Sequence, residues 1–296
     1  WADVVHFMMP SPLGVMGLKH VEKLGIPHTA AFHCQPENIT FTLHLGNSRR
    51  VNDFVYNRFR DTFFNRFTHI HCPSNMIADQ LRSHGYTAQL HVISNGISPE
   101  YTYGKQEKEP WMQGFFNVLM VGRYAGEKRQ DELIEACAKS RHAQEIQVIL
   151  AGKGPLEKKY RRLAEKLPNP IVMSFYEPAR LLEILHMADL YVHTSDAEIE
   201  AMSCMEAFAC GLVPVIADSP RSATPQFALD ERSLFPAGDT DALAERIDYW
   251  IEHPEERREM ELRYADHAKQ YSLAESIRKT EEMFRQAIAE QRRTGA

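Results

Sequence analysis

No run in these 296 residues approaches the roughly 20 continuous apolar positions that a membrane-spanning helix needs. Positive charge is also in short supply. There are 34 Lys and Arg against 40 Asp and Glu, a net charge of −6. A nucleic-acid binder normally carries a basic face, so nucleic acid is not the expected partner. Cysteine is scarce. Cys34, Cys72, Cys137, Cys204 and Cys210 are an odd number with no C-x-x-C pair. That pattern fits reduced thiols and a cytoplasmic protein better than a disulfide framework. No metal-ligand spacing stands out among the fourteen histidines. His69 and His71 share one face of a strand, but without a carboxylate nearby in sequence packing is the better reading.

What remains is ordinary globular material, 44% apolar and 25% charged, enough for two domains. Short continuous apolar runs alternate with helical periods. The spacing predicts strands at 4–8, 28–33, 70–72 and 90–93, with helices at 14–24, 51–67 and 76–84. Ser94-Asn95-Gly96 marks a turn, and the polar stretch 98–110 reads as a linker. A second series follows, with strands at 115–121, 146–151, 171–175, 190–193 and 213–216 and helices at 131–139, 156–167, 179–187 and 201–209. From 240 onward the chain reads as helices with a break at Tyr271-Ser272. Such runs signal parallel sheets covered on both faces, an α/β fold. The expected division is a first domain at 1–104, a second at 105–270 and a closing helix at 271–296. In open α/β sheets ligands lie beyond the carboxyl ends of the strands, so the expected site is a cleft between the two sheets.

Two clusters carry chemistry. Arg123 and Lys128 sit in Val-Gly-Arg-Tyr-Ala-Gly-Glu-Lys, directly after a strand and before a helix. A diphosphate over the strand ends would meet Arg as a two-pronged donor and Lys as a point charge. A solvated loop would hold the same pair. The second cluster runs from Glu198 to Glu206, after the strand 190–193. If Glu198 starts the helix, Glu206 lies about two turns inside it. Its apolar neighbours make a carboxylate there costly unless it has hydrogen-bond partners, and ribose hydroxyls are suitable ones. The amides near Ala201 and Met202 open that helix toward an anion. Gly152-Lys153-Gly154-Pro155 is a third phosphate-side candidate or a plain turn. His33 stands at a strand end, where a lone histidine is more often structural.

Taken in order, these segments resemble glycosyltransferase family 4, the retaining GT-B enzymes. The resemblance rests on 121–128, on Leu-Ala-Gly-Lys-Gly-Pro at 150–155, and on Glu-x7-Glu continuing into Ala-Phe-Ala-Cys-Gly-Leu-Val-Pro-Val. Ile93-Ser94-Asn95-Gly96, Pro73-Ser74 and Tyr271-Ser272 add to it, and it covers nearly the whole chain. It implies two Rossmann-like domains facing across a cleft and a nucleoside-diphosphate sugar as donor, UDP-sugar favoured. No cofactor or metal is implied, because the cations stabilise the leaving group. Arg123 and Lys128 would bind the diphosphate, Glu206 the ribose, and Glu198 the transferred sugar. His33 would approach that sugar from the first domain, and the backbone at Phe175-Tyr176 would meet the base. The family has Phe-Gly where this chain has Glu200-Ala201. Family members also carry a strand and a glycine-rich loop before the segment at 2–6, so the first domain is expected to be incomplete. A non-catalytic sugar-nucleotide-binding module is the alternative; a phosphorylase or an epimerase ranks below it.

The acceptor side is expected at 33–38 and in the helix 49–67, which combines Arg49, Arg50, Arg58, Arg60 and Arg66 with Phe54, Phe59, Phe63, Phe64 and Phe67. A basic aromatic helix can rest on an anionic membrane, or bury its Phe face in the core. The pattern also resembles the lipid glucosyltransferases of this family, which glycosylate diacylglycerol. The acceptor is therefore expected to be a hydroxyl on a lipid or glycan.

Overall fold

The computed structural model describes residues 2–43, 45–46 and 48–294. Trp1 and the last two positions of the expected closing helix lie outside the described residues. The chain divides into two compact units.

The first unit contains β1 (Val5–Phe7), α1 (Pro12–Lys23), β2 (His28–Ala31), α2 (Pro36–Thr42), α3 (Arg49–Thr62), β3 (His69–Cys72), α4 (Asn75–Ser83) and β4 (Gln89–Val92). Its strands run parallel in the order β1-β2-β3-β4, with Val5 opposite His28, Ala30 opposite Ile70 and Ile70 opposite Leu90. Ser11 caps α1 by accepting from the Gly14 N–H at 3.0 Å, a typical helix start. The helix expected over 51–67 is shorter, because Phe63 leaves helical geometry at φ −140°. A 3-10 turn over Phe64–Arg66 follows. Phe63, Phe64 and Phe67 all enter the core, at 0%, 1% and 4% exposure, beside Phe7 and Phe32. Burying each ring stabilises the unit by about 1.5–3 kcal/mol. Helix α2 was not expected; Pro36 pre-sets its first turn.

The second unit contains β5 (Phe116–Val121), α5 (Gln130–Lys139), β6 (Ile146–Ala151), α6 (Glu157–Leu163), β7 (Val172–Ser174), α7 (Pro178–Met187), β8 (Leu190–His193), α8 (Met202–Ala209), β9 (Pro214–Asp218), β10 (Leu234–Pro236), α9 (Thr240–Glu252) and α10 (Pro254–Ala268). Its six strands are parallel in the order β10-β9-β8-β5-β6-β7. From β5 the chain adds strands toward one edge, then from β8 toward the other. The topological switch point therefore lies between β5 and β8. The last helix, α11 (Leu273–Thr294), belongs to the first unit, where Glu290 Oε2 lies 2.9 Å from His69 Nε2.

The compact units change over at Gly96/Ile97 and Ser272/Leu273, within a few residues of the expected 104/105 and 270/271. The polar stretch after Gly96 is not a free linker. The Gln106 N–H donates to the His186 carbonyl at 3.1 Å, and Lys105 and Lys108 pair with Glu261 and Asp189 at 3.1 and 2.6 Å. The Ile97 N–H donates to the Tyr271 carbonyl at 2.7 Å, which ties both ends of the second unit together.

Packing of the loops above β5 and β6 leaves no room for side chains at two glycines. A Cβ on Gly152 would sit 2.0 Å from the Gly122 carbonyl oxygen, and one on Gly154 would sit 2.5 Å from that of Tyr124. Tyr124 cannot give way, since its buried hydroxyl donates to the Leu150 carbonyl at 2.7 Å. Gly154→Ala is expected to cost roughly 1–3 kcal/mol, read as a lower midpoint in urea unfolding.

Candidate functional site

The loop leaving β5 is built for rigidity. Tyr124 is 1% exposed, and its N–H donates to the Lys153 carbonyl at 3.1 Å. Gln130 Nε2 donates to the Arg123 carbonyl at 2.9 Å. A short turn, Gly126–Lys128, leads to Arg129, which takes a left-handed conformation (φ +53°) and opens α5. The Arg123 guanidinium is exposed and forms no ion pair among the described residues.

The loop leaving β8 carries Glu198, which is 9% exposed. Lys128 Nζ donates to Glu198 Oε1, and His193 Nε2 lies 3.2 Å from the same oxygen. Burial works against ionisation of Glu198, but the Lys128 ammonium and the His193 ring outweigh it. They hold the carboxyl well below the usual range. Two further bonds join the two loops. Thr194 Oγ1 donates to the Lys128 carbonyl at 2.8 Å, and the Asp196 N–H donates to the Glu127 carbonyl at 2.7 Å. Asp196 pairs with Arg221 and accepts from Ser219 Oγ at 2.9 Å.

Glu200 is 3% exposed, and Ala201 has φ +60° and ψ +62°. Ala201 therefore keeps the backbone conformation that a glycine would take most readily. Helix α8 begins only at Met202, so Glu206 lies about one turn inside it, not two. Glu206 is half-buried, and burial, then the Glu100 carboxylate, pushes its pKa up to about 7. The Tyr191 hydroxyl is within electrostatic reach of both Glu198 and Glu206.

Beside these loops lies a cavity of about 540 Å³, lined among others by Arg123, Gly152, Lys153, Phe175 and Tyr176. Lys153 Nζ stands 4.2 Å from the centre of the Phe175 ring, a cation–π contact on a side chain that is 54% exposed. The second unit thus gathers Arg123, Gly152, Phe175 and Tyr176 in one cavity and joins Lys128 to Glu198 beside it. His33 belongs to the first unit, 5.1 Å edge-on from His71, with burial and then His71 lowering its pKa to about 4. His69 does meet a carboxylate, Glu290, while its Nδ1 lies 2.9 Å from His91 Nε2.

His193, Thr194 and the Asp196–Arg221 pair were not singled out from sequence. His193 had one usable signal, its place at the carboxyl end of a parallel strand. Arg221 had none, since it lies 25 residues from Asp196.

Known families match both parts of the chain. The sequence model described as glycosyl transferases group 1 matches residues 105–267, and that of glycosyltransferase family 4 matches residues 1–101. The alpha-monoglucosyldiacylglycerol synthase of Streptococcus pneumoniae is 24% identical over 232 residues, which is 73% of this chain and 51% of that protein. The chain spans about half the length of the curated relatives it matches. Among solved structures, the catalytic domain of cholesterol-alpha-glucosyltransferase from Helicobacter pylori is 49% identical, with a TM-score of 0.52, covering 53% of this chain and 99% of that one. HepE from Anabaena, solved in complex with UDP, is 20% identical with a TM-score of 0.75, covering 96% of this chain and 79% of that one, a likeness of fold. The chain belongs to the group 1 glycosyltransferases and has their GT-B fold, two parallel α/β sheets.

Proposed function

We propose that this protein transfers a hexose from a UDP-sugar to a hydroxyl acceptor, with retention of configuration. The observation that carries the reading is the meeting of Lys128 and Glu198 at the switch point, beside the cavity that holds Arg123. Arg123 and Lys128 bind the diphosphate and stabilise it as a leaving group. The amides at Ala201 and Met202 add partial positive charge at the opening of α8. Glu206 holds the ribose hydroxyls, and Glu198 faces the transferred sugar near its reacting carbon. The base lies along Phe175 and Tyr176 over Gly152. The cations take the part a metal would otherwise play, so none is required.

A lipid hydroxyl is the acceptor we favour. Two relatives named above pair an alpha-glucosyl group with a lipid, diacylglycerol in one and cholesterol in the other. An alpha product from an alpha-configured nucleotide sugar is the outcome of retention. Peripheral contact with an anionic membrane belongs to the same reading. Its support in α3 is narrow, namely exposed Phe54 beside exposed Arg49, Arg50 and Arg58, because the later rings are core. Among the described residues no helix is long and apolar enough to cross a membrane.

Calorimetry with UDP, GDP and ADP tests the donor. UDP is expected to bind best, and Arg123→Ala to weaken it by about 1.5–3 kcal/mol, the usual worth of a charged hydrogen bond. A folded protein that binds none of the three rules the donor site out. A pH series tests Glu206. Only the ionised carboxylate can accept from both ribose hydroxyls, and its pKa in the folded protein is about 7. UDP affinity should therefore rise as pH passes upward through about 7, and Glu206→Gln should flatten that rise. For membrane contact, flotation with anionic liposomes should be lost when Arg49, Arg50 and Arg58 are reversed to Glu. Unchanged flotation would remove α3 from the acceptor side.

A further inference from the structure

We propose that His193 is a positioning residue that fixes the Glu198 carboxylate, itself held by a buried chain through Tyr191 and Ser203 to the end of β5. This rests on the donor-site reading above, because it concerns what keeps Glu198 aimed at the transferred sugar. His193 closes β8 and is 1% exposed. Its two ring nitrogens both have neighbours. Nε2 lies 3.2 Å from Glu198 Oε1, an electrostatic contact rather than an aligned hydrogen bond, and Nδ1 lies 3.2 Å from the Tyr191 hydroxyl. The two rings stack 6.0 Å apart at 26°. Tyr191 donates to Ser203 Oγ at 3.0 Å, and Ser203 donates to the Val121 carbonyl at 3.2 Å. Val121 is the last residue of β5, two positions before Arg123. The chain of contacts thus starts at the strand that carries the phosphate loop and ends at the sugar-facing carboxylate.

The physical need arises from Lys128. Its ammonium pairs with Glu198 in this structure, but a bound diphosphate carries more charge and makes a competing claim on it. Lysine has a flexible stem and can turn to the phosphates. His193 cannot follow, being packed and fixed at its far nitrogen. When Lys128 turns, Glu198 keeps one polar neighbour that does not move. A buried carboxylate without a partner is costly, so it would otherwise rotate toward solvent or follow Lys128.

The test compares UDP with UDP-glucose on the full chain, by calorimetry and by the slow release of UDP from UDP-glucose in water. His193→Phe keeps the ring volume and removes both nitrogens. It should leave UDP affinity within about twofold, abolish the extra affinity that the glucose adds, and slow hydrolysis on the order of 10- to 100-fold, as loss of an orienting partner does elsewhere. His193→Gln, whose amide keeps a polar N–H group facing Glu198, should recover part of both. Tyr191→Phe should fall between and gives a second reading if His193→Phe does not fold. Equal loss of UDP and UDP-glucose affinity in His193→Gln and Tyr191→Phe would mark a merely structural role and overturn the proposal. So would an undiminished glucose increment in those variants while Glu198→Gln loses it. If wild-type protein shows no glucose increment at all, the donor-site reading of Glu198 fails and takes this inference with it.

Discussion

Between β5 and β8 the chain reverses the direction in which it adds strands, and everything at the site depends on that reversal. Right-handed crossovers carry the connections from these two strands to opposite faces of the sheet. Their leading loops must therefore part, and a crevice opens that side chains alone would not close. Here the two loops are joined by backbone and side-chain bonds from Asp196 to Glu127, from Thr194 to Lys128, and from Lys128 to Glu198. A cation from one loop and a carboxylate from the other are held at close quarters, where burial strengthens each charge's influence on the next.

Holding the loops in this way has an energetic cost, and it falls where the chemistry is. Among the described residues, Arg129 and Ala201 are the two non-glycine positions with positive φ, at +53° and +60°. Each opens one of the two helices that follow the loops, α5 and α8. A left-handed residue other than glycine costs about 1–2 kcal/mol. Ala201 takes this turn although it is not a glycine. The backbone path is thus set by the surrounding bonds rather than by the residue's own preference. Such outliers gather at functional sites because the neighbouring structure over-determines them.

How much of this could be read in the sequence follows from range. The strands of both sheets were legible because buried parallel strands are continuous apolar runs, as in Ile146–Ala151. β10 was not, being three residues long and ending in Pro236. The stretch 98–110 read as a linker because a charged, proline-bearing segment looks the same whether it hangs free or is strapped down by Lys105 and Lys108. Arg123, Lys128 and Glu198 were legible as residues because parallel sheets put chemistry at strand ends. Their pairing was not, since Lys128 and Glu198 are 70 residues apart and meet only through the strand order β8-β5. The second carboxylate next to Glu206, Glu100, was hidden for the same reason.

Glu198 and Glu206 show how neighbouring loops can drive two carboxyl groups to different ionisation. Both are withdrawn from water, which by itself would protonate both. Glu198 has Lys128 and His193 beside it and stays ionised, whereas Glu206 has Glu100 and is pushed up to about 7. Near neutral pH the two carboxyl groups therefore do not carry two full negative charges. Environments that drive two pKa values apart are a recurrent mark of assigned roles. Here the separation arises from which strand end each carboxylate stands on, β8 with its lysine partner across the switch point or α8 facing the stretch that follows Gly96.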